Sequence, residues 1–460
     1  MKRLLLVVVL TALPLMARAD ELSDLKAQLD AAIKSMQTLQ KRVEALEAEK
    51  TKGAAAAPAT AAAEPKAVAE PKAVAAPAVA AAGGPVVAPN EKPVVGEPDS
   101  NKARLEIYGF VQADFTQGFK LMNPDWYSAV RPSQIPVNCP GSPGCGADGY
   151  TNFSVKQTRL GVNGYTPTSA GEVRGQFEFD LFGVGADAGQ TTIRVRQAWA
   201  SLGEFLVGQT NSLFMDGDVF PNTIEYWGPS GMIFFRNIQA RWTPYNKDGK
   251  TFAVALEQPG TVVDSTSAGL AGVSSHNIVP DLTAQWKMET AWGHYQLAGI
   301  LRDLGYQTAG APGGSPSGSR TGYGLNLSGS YNTVGKDKVV GQLAYGKGIA
   351  AYSNDCCVDL ASNAAGSPEA VSLLDWLLYY DHWWNDTLSS SIGYSRNFQS
   401  NTSGQTTAAQ RVGQYASANL LWYPVRNVMT GVELIWGERE NNNGASANDT
   451  RIQFSGQYKF

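Results

Sequence analysis

Five arginines, Arg159, Arg174, Arg194, Arg196 and Arg241, stand in segments where polar and apolar residues alternate one by one, and all five fall on the polar parity. A guanidinium is always charged, and its planar fork of donors matches a carboxylate. Gathered on one wet wall, such a set draws anions. Paired with Glu172, Glu178 and Asp180, which share that parity, it braces the wall instead. A second set is acidic. The stretch "FMDGDVFPNTIEYWGPSG", 214–231, carries Asp216, Asp218 and Glu225 among glycines and prolines. It reads either as a loop folded inward to constrict a lumen, its carboxylates facing the arginines, or as an external loop with solvated charge. Its "DGD" lacks the remainder of a calcium-loop pattern, so no metal is expected there.

Catalysis has no foothold. The chain has three histidines, His276, His294 and His382, and no G-x-S-x-G, H-E-x-x-H or phosphate-binding loop. His382, in "YYDHWWND", adjoins a turn signal and reads as structural. The reading is therefore not an enzyme, with no cofactor. The four cysteines, Cys139, Cys145, Cys356 and Cys357, are candidate disulfide partners in an exported chain. Cys139 and Cys145 enclose "PGSPG" and could close a small ring. Cys356 and Cys357 could bond to each other or each reach the first pair. The formal charge is −4, and removing residues 1–19 with Lys2, Arg3 and Arg18 takes it to −7, so a nucleic-acid partner is unsupported.

The elements that must hold these side chains are short alternating strands. "RLEIYGFVQADF", 104–115, sets Leu105, Ile107, Val111, Ala113 and Phe115 against Arg104, Glu106, Gln112 and Asp114. "EVRGQFEFDL", "PDLTAQWKM", "TGYGLNLSGSY" and "VELIWGE" repeat the pattern. The final "RIQFSGQYKF" sets Ile452, Phe454, Tyr458 and Phe460 against Arg451, Gln453, Gln457 and Lys459. This period of two means one oily and one wet face. About sixteen such segments fit between 104 and 460. Short turns at 166–171, 246–249, 384–386 and 423–427 contrast with long polar stretches at 120–151, 260–279, 306–319, 351–370 and 441–449. The wet parity is rich in Gly, Ser, Asn, Gln and Arg, and aromatics such as Trp242, Tyr245, Trp384 and Trp422 collect at strand ends. Both features favour an all-β membrane protein, an antiparallel transmembrane β-barrel, over a soluble sandwich. The last strand is expected to close against the first, with Tyr458 and Phe460 as the signal read by the assembly machinery.

Three regions precede the barrel at 103–460. Residues 1–19 read as a secretory signal peptide. Residues 20–50 hold a heptad seam through Leu22, Leu25, Leu29, Ala32, Met36, Leu39, Val43 and Leu46, which reads as a coiled-coil oligomerisation helix. Residues 51–102, rich in Ala and Pro with "EPKAVA" repeated in tandem, read as a disordered tether.

This order of signal, heptad helix, Ala/Pro tether and barrel resembles the DcaP-type trimeric outer-membrane porins. The stretches that carry the resemblance are "RLEIYGFVQADF", "QTRLGVNG" at 157–164, "IRVRQAWASLGEFLVGQTNSLF" at 193–214, "PDLTAQW" at 280–286, "ANLLWYPVRNVMTGVELIWGERE" at 418–440 and the closing "RIQFSGQYKF". The cysteine pairs depart from it. The resemblance implies a homotrimer in the bacterial outer membrane, in contact with lipid, with a periplasmic coiled coil and passive passage of small anionic solutes such as dicarboxylates. The alternatives are a general or sugar-preferring porin, and a structural tether between outer membrane and cell wall.

Overall fold

A computed structural model describes residues 102–141, 144–183, 192–308 and 315–460, and the backbone of Val94–Val95. The signal peptide, the heptad helix and nearly all of the tether lie outside the described residues. Alternation of the kind read above becomes sixteen long antiparallel strands: β1 (Arg104–Gly118), β2 (Arg159–Thr168), β3 (Gly171–Asp180), β4 (Arg194–Leu202), β5 (Phe205–Asn211), β6 (Arg236–Lys247), β7 (Lys250–Glu257), β8 (Asp281–Thr290), β9 (Gly293–Thr308), β10 (Gly318–Asn332), β11 (Lys338–Lys347), β12 (Ser372–Asn385), β13 (Leu388–Ser400), β14 (Gln410–Trp422), β15 (Val428–Asn441) and β16 (Ser446–Lys459). Each pairs with its neighbours in sequence, and β16 returns to pair with β1 from Phe110↔Lys459 to Gly118↔Arg451. Backbone bonds between Gly109 and Phe460, 3.1 and 3.0 Å, finish the seam. The sheet is thus a closed barrel with no free edge, the form in which strands can sit in lipid without orphaned amides. No helix among the described residues is long and apolar enough to cross a membrane.

The distribution of side chains is the reverse of a soluble domain. Leu105, Val111, Leu325, Leu343, Leu378 and Leu434 are exposed, while Gln112, Asp114, Asn326, Gln342, Asp375 and Gln453 on the opposite parity are buried. An apolar outer wall around a polar interior is what a membrane barrel requires. At one end the connections are short: 169–170, 203–204, 248–249, 291–292, 333–337, 386–387 and 423–427. At the other end lie the longer ones, among them 119–158, 212–235, 258–280 and 348–371. Two stretches expected as long loops shrink. β9 runs on to Thr308, where it pairs with a short strand at Val273–Ser275, and β15 and β16 zip up to Glu440↔Ser446. Their polar residues continue the ladder beyond the oily band, because pairing satisfies backbone groups in water as well as in lipid.

Of the cysteine connectivities left open, the structure joins Cys139 to Cys145, with Cα atoms 5.6 Å apart, and Cys356 to Cys357. Both pairs sit in long connections.

Candidate functional site

The connection 212–235 turns inward. Phe214, Met215, Val219, Phe220, Met232, Ile233 and Phe234 pack on the inward Ala298, Ile300, Val340, Ala344, Leu373 and Leu377 of β9, β11 and β12. Farther along, its backbone is held by carboxylates of the opposite wall: Asn222 N donates to Asp381 at 3.2 Å and Ile224 N to Glu433 at 2.6 Å. Gly231 lies so close to the wall that a Cβ there would run into the carbonyl oxygens of Trp376 and Arg396. The loop therefore crosses the lumen rather than standing in outside solvent.

Each of its three acidic residues meets a cation or imidazole. Asp216 takes His294 Nε2 at 2.8 Å and Ser328 Oγ at 2.7 Å. Burial pulls its pKa up, but those bonds outweigh burial and hold it below the usual carboxylate value. Asp218 is exposed and bonds to Lys287. Glu225 is fully buried and pairs with Arg451 at 2.9 Å. Burial raises its pKa despite that pair and the amides of Val130 and Gly228.

The five predicted arginines separate into three groups. Arg194 grips Asp180 in a fork, 3.1 and 2.6 Å. Arg196 bridges Glu178 and Asp180, both at 2.8 Å, and Arg159 approaches Glu178 at 3.7 Å. Register explains the cluster, since Arg159, Asp180 and Arg194 are direct partners across β2, β3 and β4. Arg174 lies apart with Glu172, at 2.8 Å. Arg241 donates to the Asn211 carbonyl at 2.6 Å and to Gln239 at 3.0 Å. Sequence reasoning missed Arg236, which joins Arg194, Arg196 and Arg159 within electrostatic reach. It also missed Tyr226 of the inward loop, whose hydroxyl donates to Asp180 at 2.8 Å and whose ring stacks on Phe182 at 3.7 Å. Arg302 was hidden differently. It shares a parity with Ile300 and Leu304, which by alternation alone marks an oily face, yet it is buried between Asp281 and Asp359, both at 2.9 Å. Those apolar neighbours cover packed inner surface (Ile300 beneath the inward loop, Leu304 beneath Leu360 and Tyr306), and neither packing partner is visible from alternation.

Two spaces adjoin these groups. A cavity of about 180 Å³ opens between Tyr108, Arg159, Glu178, Gln457 and Lys459. At the long-loop end a vestibule of about 470 Å³ is lined by Arg131, Asp264, Cys356, Cys357, Gln399 and Arg439 among others.

A closed sixteen-strand barrel, a loop folded into it and a charged inner wall coincide with one family description: the model of the DcaP outer membrane protein family matches residues 89–460. The chain belongs to the DcaP outer membrane protein family. Among solved structures, the outer membrane channel DcaP of Acinetobacter baumannii is 22% identical, with a TM-score of 0.69 over 79% of this chain and 99% of that one. The anion-selective porin from Comamonas acidovorans is 11% identical, with a TM-score of 0.53 over 78% of this chain and all of that one, 100%. Both likenesses concern the fold. No curated protein matches. A DcaP-family barrel is an outer-membrane channel, and family and fold alike point to a pore rather than an enzyme.

Proposed function

We propose that this DcaP-family barrel passes small anionic solutes, carboxylates and dicarboxylates among them, by passive diffusion. The observation that carries the reading is the cluster on β2–β4. Three guanidinium groups, Arg159, Arg194 and Arg196, surround two carboxylates, Glu178 and Asp180, and Arg236 adds a fourth guanidinium to the same field. Arg159 and Arg194 keep about a seventh of their side chains exposed, 14% and 16%. A wall with more guanidinium than carboxylate, in a lumen narrowed by 212–235, lowers the barrier to anions more than to cations. The likeness in fold to an anion-selective porin is consistent with this.

Reversal potentials of single channels in a KCl gradient test it. Wild type should prefer chloride, and Arg159→Gln with Arg194→Gln should shift the reversal potential toward cation preference. Cation preference in wild type at neutral pH, unmoved by the pair of substitutions, overturns the reading in favour of a general pore.

The chain is further proposed to act as a homotrimer in the outer membrane, with the heptad helix of 20–50 in the periplasm. The outward face of β1–β5 supports this. It presents Leu105, Val111, Phe177, Val195, Phe205 and Val207 without outward Trp or Tyr, whereas Trp242, Trp286, Tyr323, Tyr345, Trp384 and Trp422 ring the remaining strands. A wall lacking the interfacial aromatics suits contact with protein better than with lipid. Amine crosslinking of wild type should yield a ladder that stops at trimer, and oxidation of a cysteine placed at Val207 should join subunits as covalent dimers where one placed at Leu325 does not.

A further inference from the structure

The outward face of β13 breaks the rule obeyed by the rest of the wall. Ser395 and Asn397 are buried and turn inward, with Asn397 donating to the Asp355 carbonyl at 2.8 Å. Alternation then sends Tyr394, Arg396 and Phe398 outward, in line with Ile392, which is 59% exposed. Register sets Arg396 between Trp376 of β12 and Gln414 of β14. Among the described residues its guanidinium makes no hydrogen bond and no ion pair, and its Nε is shielded from solvent without a partner. It lies 6.0 Å from the centroid of the Phe398 ring. Arg411, at the start of β14, lies 5.5 Å from the same centroid, so two guanidinium groups flank one ring.

The neighbouring carboxylates are already engaged. Glu440 stands 3.8 Å from Arg411, and Glu438 accepts from Gln414 at 2.7 Å. Tyr394 donates its hydroxyl to Gln414, and its ring packs on Trp376 at 5.3 Å. The local charge therefore sums to zero, which gives a free anion in bulk water little reason to collect here. Arg396 alone still wants an acceptor. Its depth says where that acceptor comes from: four residues below Ser400, at the long-loop end, level with outward aromatics of the kind that mark the boundary between acyl chains and headgroups. Arginine on a lipid face is tolerated at that level, where its guanidinium is within reach of the headgroups.

We propose that Arg396, supported by Arg411 across Phe398, holds a phosphate group of an outer-leaflet glycolipid against the outer wall at β13–β14. Phosphate supplies several acceptor oxygens to a planar fork, and headgroup phosphates are the acceptors present at this depth. Trp376, Tyr394 and Phe398 offer ring faces for the sugar and the first methylenes of the acyl chains.

Native mass spectrometry of the full chain released from nanodiscs tests this, with lipid A or enzymatically dephosphorylated lipid A as probe. Wild type should retain the phosphorylated lipid at least about tenfold more than the dephosphorylated one. Arg396→Gln should remove that preference, Arg396→Lys should keep part of it, and both should conduct as wild type does, which shows them folded. Equal retention of the two lipids by wild type overturns the proposal. So does unchanged retention by Arg396→Gln. Displacement of the lipid by millimolar inorganic phosphate would reassign the site to a soluble anion. A subunit dissociation caused by Arg396→Gln with lipid retention intact would reassign it to a contact between copies.

Discussion

Arg302 shows what a single buried charge does in this barrel. It donates to Asp281 and Asp359 and to the carbonyl of Gly348 at 2.6 Å, tying β8 and β9 to the connection 348–371. Removing it would strand two carboxylates in a dry site, a change that costs about 3–5 kcal/mol. Arg302→Met should therefore lower the midpoint of denaturant unfolding in detergent far more than Arg241→Met. Arg241 bonds to a backbone carbonyl and an amide, and its loss should cost only about 1–3 kcal/mol. Equal effects of the two substitutions would contradict the assignment of Arg302 as an anchor. Asp216 carries the corresponding acid limit for the inward loop. Its pKa is held below the ordinary value, mainly by His294 against the upward pull of burial, so its contribution to stability is present at and above the ordinary carboxylate range near about 4. That contribution is lost only as pH falls through the lowered value, so Asp216→Asn should be less thermally stable than wild type at neutral pH and the difference should persist down to about pH 4.

At the level of elements, the connection 212–235 and the hairpins carry different loads. Gly231 has no room for a side chain against Trp376 and Arg396, so Gly231→Val should push the loop off β12–β13 and change single-channel conductance while leaving the barrel folded. Unaltered conductance with normal β-sheet circular dichroism would show that this contact does not position the constriction. The turn 333–337 is set by Asp337. It accepts from the Tyr380 hydroxyl, the His382 Nδ1 and the Trp383 amide, each at 2.7 Å, and so fastens the β10–β11 hairpin to β12. The bond from Tyr380 leads the effect that brings its pKa down to about 2, against a smaller rise from burial. A depressed acid stabilises above its unfolded value and ceases to do so as pH falls through the folded one, so this clasp should weaken between about pH 4 and about pH 2. Wild type should lose thermal stability across that window, and Asp337→Asn should start lower and lose less across it.

For the whole molecule, closure decides whether there is a barrel at all. Phe460 exchanges two backbone hydrogen bonds with Gly109 at the seam, and Tyr458 faces outward beside it. Removing Phe460 should cut the yield of assembled protein while channels that do form conduct normally; undiminished yield would count against a role in assembly. Much of this architecture is legible along the chain. Leu325 and Leu327 against Asn326 and Ser328, or Phe454 against Gln453 and Ser455, declare a strand with two solvents on its two faces, because the pleat sends successive side chains to opposite sides whatever the strand pairs with. Period, strand number, inward parity of Arg194, Arg196 and Arg451, and the family resemblance all follow from such local order. What lies across the lumen does not. That Glu225 meets Arg451, that Tyr226 meets Asp180, and that Ile300 is oily for the sake of a loop rather than of lipid depend on how a closed sheet is staggered and on a connection folding back through it. Alternation reports only which side of the strand a residue is on, and it is closure in three dimensions that gives that side a neighbour.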